Sequence, residues 1–265
     1  MAARKPTFIL SFDFDGTLVH PESEPVFHPM LGQMIQQLRG LGAAWVINTG
    51  RSLPQTLQGL AQYGIFMEPD YIIAMECDIY RPGLFSKWTD FGSWNKQARK
   101  AHERFVKDHQ ASLNAIRQMV ESQTQGQFLA GDYGELGIVG SSEEELDVIC
   151  AFIDSHVQQF PDIGYHRNGV YLRFSHSGYS KGTALSELAR LLGLNASQCF
   201  AAGDNLNDLS MLNPQHARMI ATPGNGLPAV KAHVQNHGGF VASRFASEGM
   251  IEALSHFFGA GAARA

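Results

Sequence analysis

Short apolar runs alternate with segments of helical spacing in the first part of the chain. Uninterrupted apolar runs lie at 8–10, 43–47 (followed by Asn48 at the predicted strand end) and 71–75, and apolar residues recur every three or four positions at 29–41 and 52–64. A short apolar run bounded by turn signals is typical of a buried strand, and three-to-four spacing is typical of a helix. The order strand, helix, strand, helix, strand predicts a parallel sheet with crossover helices.

The pattern changes between residues 81 and 178. Residues 90–124 are polar and helical in composition, two short strands are predicted at 127–130 and 135–139, and a helix begins at Ser142. Two further short strands flank Asn168-Gly169, a dipeptide that strongly favours a two-residue hairpin turn. An antiparallel hairpin differs from the parallel pattern on either side, so we predict an inserted α+β domain here.

The alternating pattern resumes after this insertion. A helix is predicted from Ser180 to about Gly193, strands at 199–202 and 219–222, a short edge strand near 240 and a closing helix from Glu248. The predicted fold is α/β, with a Rossmann-like doubly wound parallel sheet core and an inserted α+β domain. The predicted bounds are 1–80 with 179–265 for the core and 81–178 for the insertion.

Two carboxylates follow the first predicted strand. Asp13 and Asp15 are two residues apart, so on an extended chain they point to the same side, and Gly16 lets the backbone turn after them. Like charges at this distance repel unless something neutralises them. A divalent cation with oxygen ligands, such as Mg²⁺, meets that need. The alternative is a strand end followed by a plain Asp-Gly turn.

Polar residues also follow the second predicted strand. Ligands of open α/β sheets bind beyond the carboxyl ends of the strands, and Thr49-Gly50-Arg51 stands at such an end. Thr49 is a candidate hydroxyl donor to a phosphate oxygen, helped by backbone N–H groups at the start of the next helix. The alternative is a helix cap without a ligand. Arg51 either contacts a substrate or forms an ion pair on the surface.

Two later segments carry charge at element ends. Lys181 stands at a helix start, where a cation is poorly placed for the helix dipole unless an anion is bound nearby; the alternative is a solvated lysine. Asp204 and Asp208 follow the strand at 199–202 and could complete the oxygen ligand set begun by Asp13. Asp208 is either a direct ligand or a residue that orients one.

Composition narrows the possible functions. The chain has 265 residues, a net charge of −5 and a pI near 6.1, which argues against nucleic-acid binding through bulk charge. No apolar run approaches the ~18 residues of a membrane span, and no secretory signal is recognised. Three separated cysteines, Cys77, Cys150 and Cys199, indicate neither a zinc site nor a disulfide framework. We expect a cytoplasmic protein without nucleic-acid or membrane partners; the oligomeric state stays open.

Taken together, the motifs resemble those of the haloacid dehalogenase superfamily over nearly the whole chain. They are Asp13-Phe14-Asp15-Gly16-Thr17, Thr49-Gly50-Arg51, Lys181-Gly182 and Gly203-Asp204-Asn205-Leu206-Asn207-Asp208. The insertion lies between the second and third motifs. That position resembles the C2-type cap domain of Cof-like and sucrose-phosphate-phosphatase-like sugar phosphatases.

The resemblance implies roles for the motif residues. Asp13 would be the nucleophile that forms an aspartyl phosphate, and Asp15 the general acid and base. The residues implied to bind phosphate are Thr49, Gly50, Lys181 and Asn207. The residues implied to hold Mg²⁺ are Asp13, Asp15 through its backbone carbonyl, Asp204 and Asp208, the last binding either the metal or Lys181.

The chain departs from the family pattern at one place. Cof-like members often carry an Asn-Gly pair after the third strand, where this chain has Glu76-Cys77-Asp78. The departure puts the usual substrate contacts there in doubt and is compatible with a different leaving group. Candidate specificity residues are Arg51 and, in the cap, Arg167, Asn168 and Arg173, with a structural or solvent-facing role as the alternative for each cap residue.

The implied function is a Mg²⁺-dependent phosphatase that acts on a small phosphorylated metabolite, such as a sugar phosphate. A phosphotransferase or phosphomutase would use the same nucleophile and exclude water, and Asp15 is compatible with both. A non-catalytic metabolite-binding protein on the same fold is a third interpretation, which the presence of every motif residue disfavours.

Overall fold

The computed structural model describes residues 5–84, 87–130, 136–158, 160 and 162–259. The first elements in chain order are β1 (Phe8–Phe12), α1 (Pro29–Gly40), β2 (Ala43–Asn48), α2 (Leu53–Gln62), β3 (Tyr71–Ala74), β4 (Asp78–Pro82) and β5 (Trp88–Asp90). Then follow α3 (Trp94–Asp108), α4 (Gln110–Gln123), β6 (Gln127–Ala130), β7 (Leu136–Val139), α5 (Glu143–Val157), β8 (Ile163–Asn168) and β9 (Tyr171–His176). The last are α6 (Lys181–Leu192), β10 (Cys199–Ala202), β11 (Met219–Thr222), α7 (Pro228–Asn236), β12 (Phe240–Val241) and α8 (Ala246–Phe258).

The chain forms two compact units. The larger unit runs up to Asn95 and resumes at Ser180, and the smaller unit is Lys96–Tyr179. The large sheet has the strand order β12-β11-β10-β1-β2-β3-β4-β5, and its strands from β12 to β3 are parallel. The predicted α/β class with a parallel core sheet is confirmed.

Alternating residues of the central strands supply two hydrophobic cores. On β1, Leu10 and Phe12 pack in one core, while Ile9 packs in the other, because successive side chains of a strand point to opposite faces. The first core takes residues from α1, α2 and α8, and the second takes residues from α6 and α7. Helices therefore cover both faces of the sheet, as in a doubly wound fold.

The structure places the first boundary between the units at Asn95 rather than at the predicted residue 80. The predicted break at Arg81-Pro82 is instead the end of β4, which pairs antiparallel with both β3 and β5. The buried side chain of Asn95 holds β4 in the larger unit. Its Oδ1 accepts from Ile79 N at 2.7 Å, and its Nδ2 donates to Ile79 O at 3.0 Å. A proline is tolerated at this end of β4 because the pairing with β3 stops at Tyr80, which leaves Pro82 with a strand partner on one side only.

The smaller unit contains a four-stranded antiparallel sheet in the order β6-β7-β9-β8. Its hydrophobic core combines residues of this sheet with residues of α3, α4 and α5. The predicted hairpin is present, with Gly169 at a φ of 56° between β8 and β9. The predicted helical stretch 90–124 begins instead at the end of β5, and its helices are α3 and α4, with His109 between them. Glu135, predicted in a strand, lies outside the described residues.

Within the described part of the chain, every helix is too short or too polar to cross a membrane.

We predict that the second core of the large sheet contributes strongly to stability. Leu188 of α6 is fully buried in it, so Leu188→Ala is expected to lower the free energy of unfolding by about 2–5 kcal/mol through lost burial and a residual cavity. Leu41→Ala is the matched control, because the Leu41 side chain is 69% exposed, and is expected to cost under ~0.5 kcal/mol. Urea denaturation measures both; equal losses would contradict the assignment of this core.

Candidate active site

The ends of three neighbouring strands bring the sequence motifs together. β1 lies between β10 and β2 in the sheet, so the segments that follow these strands meet at one edge. Asp13 N donates to Ala202 O at 2.9 Å, and Thr49 N donates to Ile73 O at 2.8 Å. These bonds extend the strand pairing by one residue, and they fix the backbone positions of Asp13 and Thr49.

Lys181 lies at the centre of this edge and is fully buried. Its Nζ lies 2.6 Å from Asp13 Oδ1 and 2.6 Å from Asp208 Oδ1. Burial alone would lower the pKa of Lys181, but the charges of Asp13, Asp208 and Glu76 outweigh it and raise that pKa well above its usual value. Lys181 is therefore a charged, buried group, which rules out the alternative of a solvated lysine.

The start of α6 holds Lys181 in place. Ser180 caps the helix and its hydroxyl accepts from Thr183 N, which satisfies one of the free N–H groups of the first turn. The buried Asn48 donates from Nδ2 to Lys181 O at 3.1 Å. The end of β2 is thus tied directly to the first residue of α6.

Both carboxylate oxygens of Asp208 are used by the protein. Oδ1 accepts from Lys181, and Oδ2 accepts from the backbone N–H groups of Asp204 and Asn205, each at 2.9 Å. A carboxylate with this set of donors is held in one orientation. Of the two roles open from the sequence, the geometry supports Asp208 as the residue that orients Lys181 and the Asp204 loop.

Asp204 faces the loop that follows β1. Thr17 Oγ1 donates to Asp204 Oδ1 at 2.7 Å. Gly16 has a φ of 79°, and a Cβ at that position would lie 2.3 Å from Asp204 Oδ2. Glycine is required there by both the backbone conformation and the space, as the turn after Asp15 suggested from the sequence.

Asn225 is a residue of this loop system for which the sequence analysis gave no role. Its Nδ2 donates to Gly16 O at 2.7 Å, and its Oδ1 accepts from Ala246 N at 2.8 Å. The side chain thereby links the loop after β1 to the first residue of α8, where Ala246 has a φ of 40°. The only signal in the sequence is an asparagine between two glycines after a predicted strand.

The carboxylates at this edge suit a cation. One oxygen each of Asp13, Asp204 and Asp208 lie within 4.8 Å of one another. Burial raises the pKa of Asp13 well above its usual value, assisted by the charges of Asp208 and Asp204 and opposed by Lys181. Three acids opposed by one lysine leave net negative charge in a buried place, and oxygen donors of this kind fit Mg²⁺. Because Asp208 is already engaged, Asp13 and Asp204 are the side chains best placed to hold it.

Asp15 is not one of these three carboxylates and pairs with Arg51. Arg51 Nε lies 2.7 Å from Asp15 Oδ2, and Nη2 lies 2.6 Å from Asp15 Oδ1. The guanidinium carbon also lies 4.9 Å from the centre of the Phe14 ring. This two-bond geometry orients both partners. Arg51 therefore forms a partly exposed ion pair, one of the two alternatives considered from the sequence, and its partner is a motif carboxylate.

An additional acid, Glu76, lies against two of the expected phosphate-binding residues. Thr49 is 1% exposed, and its Oγ1 accepts from Arg51 N at 3.1 Å, so the hydroxyl keeps its own hydrogen for donation. Asn207 Nδ2 donates to Glu76 Oε1 at 3.0 Å. A Cβ on Gly50 would lie 2.5 Å from the same Glu76 oxygen. Glu76, which the sequence showed only as a departure from the family pattern, is buried in contact with this set.

In the smaller unit, Arg167 stabilises its own surroundings. Its guanidinium pairs with Asp147 and donates to Glu143 O at 3.0 Å and Gly169 O at 3.2 Å. These bonds connect α5 with the β8–β9 turn and favour the structural role over the specificity role. Arg173 lies opposite His166 in the β8–β9 pair, and its specificity role stays a prediction.

A family model matches more than half of the chain. The model, described as haloacid dehalogenase-like hydrolase, matches residues 90–243. The phosphoglycolate phosphatase of Natronomonas pharaonis is 23% identical over 245 residues, 92% of this chain and 95% of that protein. The phosphoglycolate phosphatase of Methanoculleus marisnigri is 33% identical over 92 residues, which cover 34% of this chain and only 36% of that relative.

The fold also resembles a solved structure over nearly its full length. The sucrose-phosphatase of Synechocystis sp. PCC6803, solved in complex with sucrose and phosphate, superposes with a TM-score of 0.73 at 19% identity. The match covers 96% of this chain and 98% of that chain. At this identity the likeness shows a shared fold.

We predict that Mg²⁺ binding strengthens as pH rises to about 7. Burial raises the pKa of Asp204 to about 7; the charge of Asp208 adds to the rise, and the hydrogen bond from Thr17 opposes it. Below that pH the carboxyl is protonated, and a cation must displace the proton. The affinity is expected to rise up to roughly tenfold per pH unit below about 7 and to level off above it.

Calorimetric titration of Mg²⁺ at several pH values measures this dependence. Asp204→Asn is expected to remove most of the binding together with its pH dependence. Asp70→Asn is the matched control, because Asp70 bonds Arg39 and Trp45 N and is expected to leave Mg²⁺ binding unchanged. An affinity that is constant from acid to neutral pH would contradict the prediction.

Proposed function

The chain belongs to the haloacid dehalogenase-like hydrolases, and we propose that it is a Mg²⁺-dependent phosphatase that acts on a small phosphorylated metabolite through an aspartyl phosphate on Asp13. The observation that carries the proposal is the buried contact of Lys181 with Asp13 and Asp208. This contact places the carboxylate of Asp13 beside the fixed positive charge of Lys181, which suits attack on a phosphoryl group.

In the first step, a carboxylate oxygen of Asp13 forms a bond to phosphorus while the bond from phosphorus to the leaving oxygen breaks. Asp15 donates a proton to that oxygen as it leaves. In the second step, Asp15 takes a proton from a water molecule whose oxygen attacks phosphorus, and the bond to Asp13 breaks. Inorganic phosphate is released, Asp13 is again an ionised carboxylate and Asp15 again carries a proton.

Four groups of the chain support the phosphoryl oxygens in this scheme, and one of them is the side-chain amide of Asn207. The ammonium of Lys181 and the hydroxyl of Thr49 are donors, and donors fixed before the reaction stabilise developing charge most effectively. The backbone of Gly50 lies next to Thr49 at the same strand end. Asp13, Asp204 and the backbone carbonyl of Asp15 would hold Mg²⁺, which would supply positive charge that offsets the phosphoryl oxygens.

The substrate class is proposed from the comparisons. Two of the relatives bear the name phosphoglycolate phosphatase, and one of the solved structures of similar fold is a sucrose-phosphatase. All are phosphatases of small phosphorylated metabolites, which supports that class here, a sugar phosphate among them. The cytoplasmic location stays a prediction from the sequence.

The first test is phosphate release from a panel of phosphorylated small molecules. The panel contains sugar phosphates, phosphoglycolate and an aryl phosphate, and each is assayed with Mg²⁺ and with a chelator. The wild type is expected to release phosphate from at least one compound only with Mg²⁺. Asp13→Asn keeps the shape of the side chain and removes the nucleophile, so we expect a loss of at least roughly 10³-fold.

Two results would contradict the proposal. Release that survives in Asp13→Asn would exclude Asp13 as the nucleophile. Metal-dependent transfer of the phosphoryl group to a sugar, with water excluded, would replace hydrolysis by phosphotransfer on the same residue.

We predict that Arg51 orients Asp15 for proton transfer. Arg51→Lys keeps the positive charge but cannot form two parallel bonds to the carboxylate. We expect kcat to fall roughly 10- to 100-fold, in line with a weakened general acid and base, and KM to change little. A matched rise in KM with unchanged kcat would instead place Arg51 on the substrate.

Arg190→Lys is the matched control for this substitution. Arg190 also forms a two-bond pair, with Glu187 at 2.7 and 2.8 Å, on the surface of α6. Its replacement is expected to leave both kinetic constants unchanged, because exposed ion pairs contribute little.

A further inference from the structure

Glu76 occupies a strained backbone position that is hydrogen-bonded to the second motif, Thr49-Gly50-Arg51. Met75 and Glu76 have consecutive positive φ values of 51° and 69°, a conformation that non-glycine residues adopt at a cost. Met75 N donates to Arg51 O at 2.9 Å, and Glu76 N donates to Thr49 O at 3.0 Å. The turn after β3 is thus fixed to the backbone of the second motif, and strain of this kind is concentrated at functional positions.

The side chain of Glu76 points into the group of residues assigned to phosphate. It is 5% exposed, its Oε1 accepts from Asn207 Nδ2, and the same oxygen lies where a Cβ on Gly50 would collide. Asn207 is itself 8% exposed, so the donor that it offers to Glu76 lies inside the protein. A carboxylate oxygen and a phosphate oxygen make the same kind of bond to an amide donor.

The charge of Glu76 is unfavourable for anion binding. The site already holds the acidic side chains of Asp13, Asp204 and Asp208, and Glu76 adds a fourth beside Lys181. A like charge a few ångström from a phosphate group costs binding energy even at a high effective dielectric. A neutral glutamine would accept the same bond from Asn207 without that cost, so support of Asn207 alone does not account for a glutamate here.

We propose that Glu76 is a specificity-determining residue of the phosphate site, where its carboxylate competes with a phosphate group for Asn207 and for the space beside Gly50. This rests on the proposed function, because Asn207 and Gly50 are phosphate-binding groups only within it. The competition weakens the binding of inorganic phosphate and of very small esters. A productive substrate then gains its affinity from contacts with the rest of its structure, and product phosphate leaves readily.

The test is calorimetric titration of inorganic phosphate, with Mg²⁺ present, into the wild type and Glu76→Gln. Glutamine keeps the length of the side chain and the acceptor for Asn207, and removes only the charge. We expect phosphate to bind roughly tenfold or more tightly in the variant. Product inhibition by phosphate in the hydrolysis assay is expected to strengthen by the same factor.

Two further variants make the result specific. Glu76→Gly suits the positive φ and removes the side chain altogether, so it is expected to bind phosphate at least as tightly as Glu76→Gln. Asp78→Asn removes a carboxylate two residues along the chain, whose Oδ2 accepts from Tyr80, and is expected to leave phosphate affinity within about twofold.

The outcomes separate this inference from the proposed function. Unchanged or weaker phosphate binding in Glu76→Gln would show that the carboxylate supports Asn207 instead, and would overturn the inference. If phosphate binds the wild type and Thr49→Val weakens it, the phosphate site stands even when Glu76 fails. If neither the wild type nor the variants bind phosphate, the phosphate site is wrong and the inference falls with it.

Discussion

The contact of one buried ammonium with two buried carboxylates organises the larger unit. Lys181 bonds Asp13 after β1 and Asp208 after β10, and its own backbone accepts from Asn48 at the end of β2. Burying these charges is costly, and removing one partner would leave another uncompensated inside the protein. Three segments that are distant in the sequence must therefore come together in a single geometry.

Asp208 and the remaining acids of the site are each held by further donors. Asp208 takes two backbone N–H groups, Asp204 takes the Thr17 hydroxyl, Asp15 takes Arg51, and Glu76 takes the amide of Asn207. Fixed donors keep side chains from reorganising when charge develops during a reaction. Asp204 and Asp208 belong to the carboxylate cluster that suits a cation. Asp15 and Glu76 instead bond residues of the second motif, Thr49-Gly50-Arg51.

Much of this arrangement could be predicted, because it follows from local pattern. The strand ends that carry Asp13 and Thr49, and the capped start of α6, are visible as apolar runs and cap residues. The partners across the site are not. The pairing of Arg51 with Asp15 joins residues 36 positions apart, and the contact of Glu76 with Asn207 joins residues 131 apart. Neither contact leaves a periodic signal in the sequence. The turn at Met75 depends on a positive φ, and the sequence has no glycine there that would indicate it.

The lysine and its first partner are separated by 168 positions, and the smaller unit lies between them in the chain. During synthesis, the segment that carries Asp13 emerges long before Lys181 does. Until then its carboxylates stay hydrated at the end of an incomplete sheet, since β1 also lacks its neighbour β10. Contacts of such long range slow folding, so we expect this end of the sheet to assemble only after the inserted unit has been synthesised.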